Sequence, residues 1–78
     1  MTSEQQKYID DMRDLFQTEG WKWVEADCQG LINMYKEVDS IESEKALWFA
    51  KGVLFAARSI LTLPDIIRDA EEEEDAED

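Results

Sequence analysis

The fold is decided by residues 21–38, WKWVEADCQGLINMYKEV, which hold the most regular apolar pattern in the chain. Apolar side chains recur there at alternating intervals of three and four residues: Trp21, Val24, Cys28, Leu31, Tyr35 and Val38. This spacing is the a/d pattern of a helix that packs along its length against a second helix. We therefore predict an α-helix over about residues 20–39, with this seam turned toward a partner helix.

The partner helix is predicted over about residues 43–63, where the same spacing returns. Its seam consists of Phe49, Val53, Ala56, Ile60 and Leu63. The polar residues of 39–43 interrupt the pattern, and either Ser40 or Ser43 is suited to cap the second helix. Because a short connection joins antiparallel neighbours, we predict an antiparallel helical hairpin.

A third helix is predicted at the N-terminus, over about residues 3–18. Its start has the form of a capping box, made either by Ser3 with Gln6 or by Thr2 with Gln5. A single apolar stripe follows, formed by Tyr8, Ile9, Met12, Leu15 and Phe16. Gly20 is suited to the left-handed residue that often ends a helix.

The C-terminal residues differ in composition from the rest of the chain. Pro64 cannot continue an unbroken hydrogen-bond ladder and predicts a kink or a stop near Leu63. Ile66 and Ile67 indicate one or two further helical turns beyond it. Residues 69–78 contain eight acids and no base, a composition typical of a frayed or disordered end. We therefore predict an all-α protein with one helical domain over residues 1–68 and a disordered acidic tail over residues 69–78.

The formal net charge of −12, the absence of histidine and the single cysteine exclude several classes of protein. The usual zinc ligand sets and nucleophile–base pairs cannot be assembled, so we expect no enzyme, no metal site and no cofactor. The eight bases are scattered, which argues against direct binding of nucleic acid. Lys51 and Arg58 interrupt the most apolar stretch and argue against a membrane span. With no signal peptide at the N-terminus, we expect a cytoplasmic protein, and Cys28 is expected to be a buried structural residue.

The seams leave a surplus of apolar residues unassigned. We assign the N-terminal helix to one side of the hairpin, formed by Ile32, Leu47, Leu54 and Leu61. The opposite side, which we call the aromatic face, then stays open as a partner-binding surface. Its residues are Trp23, Gly30 and Met34 on the first hairpin helix and Trp48, Gly52 and Phe55 on the second. The alternative is that the N-terminal helix covers the aromatic face instead, or that Trp23 is simply an isolated aromatic residue on the surface.

Two functions from different classes follow from this arrangement. The first is a non-enzymatic interaction protein that pairs with itself, as a dimer or larger, or docks on a larger protein assembly through the aromatic face. A mid-helix glycine costs about 1 kcal/mol relative to alanine, and close approach of another chain would explain Gly30 and Gly52. The second function is an acidic inhibitor that blocks a basic, nucleic-acid-binding site on a host protein, while a merely solvating tail is the simplest reading of residues 69–78.

Three short motifs resemble a group of short acidic proteins encoded by tailed bacteriophages. The motifs are Glu19-Gly20-Trp21-Lys22, Lys51-Gly52 within a helix, and the helix exit Leu61-Thr62-Leu63-Pro64, and the resemblance covers about residues 4–68. Genes for such proteins tend to lie among genes for virion morphogenesis. The resemblance implies a non-enzymatic helical fold in the host cytoplasm or associated with the virion, and it assigns no functional residues.

Overall fold

The computed structural model describes the backbone of residues 2–77 and the side chains of residues 2–73. Four α-helices make up this part of the chain: α1 (Ser3–Phe16), α2 (Glu19–Tyr35), α3 (Glu44–Leu61) and α4 (Leu63–Glu77). A short 3₁₀ turn, Val38–Ser40, connects α2 to α3. The described residues contain no strand, and the predicted all-α fold with an α2–α3 hairpin is confirmed.

Side-chain caps set where three of the helices begin. Thr2 accepts a hydrogen bond from the backbone of Gln5 and returns one to the Gln5 side chain, which selects the second of the two predicted capping boxes. Thr18 caps α2 and Ser43 caps α3 in the same way. The prediction for Gly20 was wrong: it lies inside α2 without a positive φ, because the Thr18 hydroxyl already supplies the turn between the first two helices.

The hairpin packs through a different stripe of α3 from the one predicted. Of the predicted α2 seam, Trp21 and Cys28 are buried, whereas Val24 and Leu31 are 40% and 41% exposed. On α3 the buried residues are Ala50, Leu54 and Ala57, whereas the predicted seam residue Phe49 is 62% exposed. Ala50 and Ala57 have small side chains, so the large side chains of α2 can pack close to the α3 backbone at these two positions. The observed contact stripe lies one residue later on α3 than the predicted one, which is a rotation of roughly 100° about the helix axis.

The break at Pro64 was predicted together with one or two helical turns at Ile66 and Ile67, and α4 is longer than those turns. α3 ends at Leu61, and α4 continues at an angle of 44°. Proline is tolerated in the first turn of a helix, so Pro64 allows α4 to begin at Leu63. α4 includes residues 69–77 of the predicted acidic tail, and Asp78 lies outside the described residues.

The position of α1 also differs from the prediction. α1 packs mainly against α4 and, at its end, against the start of α2, where the rings of Phe16 and Trp21 lie 4.8 Å apart. Ile9 of α1 and Ile67 of α4 are both buried. α1 therefore does not cover the side of the hairpin that contains Ile32, Leu47, Leu54 and Leu61. It extends beyond the open end of the hairpin and packs on α4 there. Leu54 is buried within the hairpin itself.

The result is a long, thin molecule in which two helical pairs follow one another end to end. The chain measures 52 × 27 × 18 Å, and its radius of gyration is 16.4 Å, against about 11.5 Å for a compact chain of this length. Its accessible surface is 6118 Å², whereas a compact monomer of 9.1 kDa exposes about 4,900 Å². A body only two helices thick leaves the outer side of each helix in contact with solvent.

Candidate interaction surface

The four large apolar residues of the predicted aromatic face all lie on the surface. Trp23 is 72% exposed, Met34 70%, Trp48 62% and Phe55 76%. Trp21, two residues before Trp23 on the same helix, is only 5% exposed. The two tryptophans of α2 are therefore divided between the core, which contains Trp21, and the exposed surface, which contains Trp23. Whether the exposed residues bind a partner stays a prediction.

The exposed residues do not form the single broad face that the sequence predicted. Trp48 and Phe55 each precede a buried alanine of α3 by two positions, which turns them about 160° away from Ala50 and Ala57. Since α3 packs chiefly against α2, these two rings point away from the hairpin partner. Trp23 lies about 140° from the buried Cys28 around α2. Each helix thus has its own outer stripe.

The outer stripe of α3, which we call the α3 stripe, consists of Trp48, Gly52, Phe55 and Ser59. These residues follow at intervals of four, three and four, so they lie one above another along the helix. Gly52 separates the two rings, and a Cβ added there would meet no atom within 4 Å. The stripe is therefore a pair of aromatic ridges with a shallow notch between them.

Polar groups border this stripe without interrupting it. The Lys51 ammonium lies 4.9 Å from the centre of the Trp48 ring, the geometry of a cation–π contact. The Ser59 hydroxyl donates a hydrogen bond to the Phe55 carbonyl oxygen at 2.7 Å. Because this hydroxyl already donates its hydrogen bond within the helix, Ser59 presents a small side chain that needs no further hydrogen-bond acceptor.

The outer stripe of α2, the α2 stripe, contains Trp23, Asp27, Gly30 and Met34 at the same intervals. It has an open glycine as well, since a Cβ added at Gly30 would also meet nothing within 4 Å. Its second position, however, is a carboxylate. α2 contains one base and three acids, whereas α3 contains three bases and one acid. The α3 stripe is thus uncharged and lies on a helix of formal charge +2 in a chain of charge −12.

Two exposed aromatic residues, Tyr8 and Phe49, and one cation, Lys51, were not predicted at the positions where they lie. Phe49, which the prediction placed in the seam, reaches the end of the hairpin, where its ring lies 5.9 Å from that of Tyr35. The only prediction that involved Lys51 was that it opposes membrane insertion. Its position three residues after Trp48, on neighbouring turns of one helix, was the signal for the cation–π contact.

The described residues also bear on metal binding and on membrane insertion. No group of three or more acidic or cysteine side chains there is placed to hold a metal ion. No single helix in that region is long and apolar enough to cross a membrane, although α3 and residues 63–73 together pass such a test as a pair bent by 44°.

No protein-family model, no curated protein and no solved structure matches the chain.

Proposed function

We propose that this chain is a small, non-catalytic helical interaction protein that docks on protein through the α3 stripe. The observation that carries this proposal is the pair of exposed rings, Trp48 and Phe55, on either side of the open Gly52. Tryptophan is enriched among the residues that dominate binding energy in protein interfaces. A partner on this surface meets two apolar rings, and the open Gly52 lets its backbone approach α3 closely between them.

The shape of the molecule supports the same proposal. Small soluble monomers rarely leave contiguous apolar patches of several hundred Å² in contact with water. A chain only two helices thick has no third layer with which to cover Trp48 and Phe55. A partner protein would supply that layer. The resemblance to short phage proteins favours an assembly role, and a phage origin stays part of the proposal.

Site-specific photo-cross-linking in the cells that produce the protein tests this function. A photoreactive residue at position 48 or 55 should form a discrete adduct with a protein, either another copy or a different chain. The matched control is the same probe at Lys22, which is exposed on α2. Adducts of equal yield at position 22, or none at positions 48 and 55, would contradict the proposal.

A further inference from the structure

We infer that the occupant of the α3 stripe is a second copy of this chain, bound by antiparallel two-fold pairing of α3 with α3. This inference rests on the proposed function, because it names the partner of the same surface. Three observations lead to it: the self-complementary order of the stripe, the charges at its edge, and the area that a single chain leaves exposed.

The order of residues in the stripe is complementary to itself when reversed. In an antiparallel pair centred between Lys51 and Gly52, Trp48 of one copy lies level with Phe55 of the other, and the same contact recurs across the two-fold axis. The two Gly52 residues then lie near the crossing, where the absence of a Cβ lets the two helices approach closely. One stripe thereby supplies both the ridges and the notch, as an isologous interface requires.

The charges at the edge of the stripe fit the same pairing. Glu44 and Arg58 lie on one side of it, near opposite ends of α3. Antiparallel pairing places Glu44 of each copy close to Arg58 of the other, so opposite charges meet at both ends. The two Lys51 side chains lie level with each other on the same side of this pair, which opposes it, but each is long enough to turn its ammonium out to the rim, where water screens the repulsion.

The α2 stripe does not offer an equivalent interface. Reversed pairing of that stripe would set Asp27 against Gly30 of the other copy, with two carboxylates enclosed among apolar groups. A buried carboxylate without a hydrogen-bonding partner is strongly unfavourable. The chemistry of the two stripes therefore selects α3.

The exposed area is sufficient for such a dimer. The chain exposes 6118 Å², roughly 1,200 Å² more than a compact monomer of its mass. A standard stable interface removes about 800 Å² from each partner. One α3–α3 interface is therefore within the surface that the chain has in excess.

Sedimentation equilibrium of the intact chain over a wide concentration range tests the inference. We expect a species of about 18 kDa, twice the chain mass of 9.1 kDa. Trp48→Ala should raise the dimer dissociation constant at least about tenfold. Trp23→Ala removes an equally exposed indole from α2 and should change that constant by no more than about twofold. Far-UV circular dichroism of each variant verifies that the helices are retained.

Two further comparisons test the register. Gly52→Ala should weaken the dimer while Gly30→Ala leaves it unchanged. Trp48→Leu and Phe55→Leu combined should raise the dissociation constant by less than the product of their separate effects, because the two rings contact each other across the interface. Independent effects of these two substitutions, or equal effects at the two glycines, would overturn the pairing.

The outcomes separate this inference from the proposed function. A 9.1 kDa species at every concentration overturns the dimer. If position 48 then cross-links to a different protein, the docking function stands without self-pairing. If it cross-links to nothing, both fail. A dimer that Trp23→Ala weakens as much as Trp48→Ala also overturns the assignment to α3.

Discussion

Arg13 of α1 holds Glu71 of α4, with Nη1 of the guanidinium 2.9 Å from Oε1 of the carboxylate. Nη2 of the same guanidinium lies 2.9 Å from Asp10 Oδ1 on its own helix. One cation therefore bridges the first helix to the most acidic one. Together with the buried Ile9 and Ile67, this contact explains why the chain beyond Asp69 begins as a helix packed on α1.

Arg13→Gln should loosen the described end of α4. Without the guanidinium, Glu71 is left among carboxylates, so amide hydrogen exchange over residues 69–73 should become faster. The change in free energy should stay below about 1 kcal/mol, since both partners are partly exposed. Arg68→Gln is the matched control, because Arg68 pairs with Asp65 within α4, at 3.1 Å. Equal acceleration in the two variants would argue that only net charge matters.

Two leucine substitutions distinguish the observed packing of α3 from the predicted one. Ala50 is fully buried, so Ala50→Leu should lower the free energy of unfolding by about 1–3 kcal/mol through overpacking. Ala56 is exposed, so Ala56→Leu should change it by no more than about 0.5 kcal/mol. Urea denaturation of both variants gives the comparison. The opposite ranking would restore the stripe that contains Phe49 and Ala56 as the seam.

Gly52→Ala should make a single chain more stable while it weakens pairing. A Cβ at that position meets no atom within 4 Å, and alanine in place of a mid-helix glycine contributes about 0.5–1 kcal/mol. The melting temperature should therefore rise when it is measured at a protein concentration low enough to keep the chains apart. Gly30→Ala should raise it similarly. A fall in either variant would mean that the glycine has a neighbour within the chain.

Removal of residues 69–78 tests the alternative function of an acidic inhibitor. The deletion takes away eight acids and changes the net charge from −12 to −4. Self-pairing through α3 should persist and tighten at low salt, because two less negative chains repel each other less. An inhibitor of a basic host site should instead lose its target. Dissociation of the truncated chain, with its circular dichroism spectrum still helical, would contradict pairing through α3 alone.

Salt gives a second distinction between the two functions, with the complete chain. Salt weakens the exposed Glu44–Arg58 pairs only slightly, because such pairs contribute little in water. It also reduces the repulsion between two chains of charge −12 and leaves apolar contact intact, so added salt should strengthen self-pairing. Docking on a basic surface should weaken under the same change. Titration with sodium chloride, followed by light scattering, measures the sign of the effect.

The hairpin could be predicted from the sequence because α2 has one clear seam. On α3 two apolar patterns interleave, one through Phe49 and Ile60 and one through Ala50 and Leu54. Bulk and hydrophobicity favour the first, whereas close packing against α2 favours the small alanines of the second. Sequence spacing alone does not show how closely the axes of α2 and α3 approach, so it does not decide between the large and the small side chains. The predicted contact stripe on α3 was therefore about one residue away from the observed one.

The composition of the candidate surface was predicted better than its arrangement. Trp23 and Trp48 are both outside the core, yet turning α3 separates them onto different helix sides. The placement of α1 could not be read from its single stripe, because its partner Ile67 lies after Pro64, where the bend between α3 and α4 sets the direction of the helix. The contact between Arg13 and Glu71 joins residues far apart in the chain, which sequence spacing does not reveal.

The elongated outline has a practical consequence for hydrodynamic work. A particle 52 Å long and 18 Å thick diffuses more slowly than a sphere of the same mass. On a gel-filtration column calibrated with globular standards, one free subunit would elute early and mimic a pair. Scattering intensity or sedimentation, which report mass without assuming roundness, is therefore the measure by which its stoichiometry should be counted.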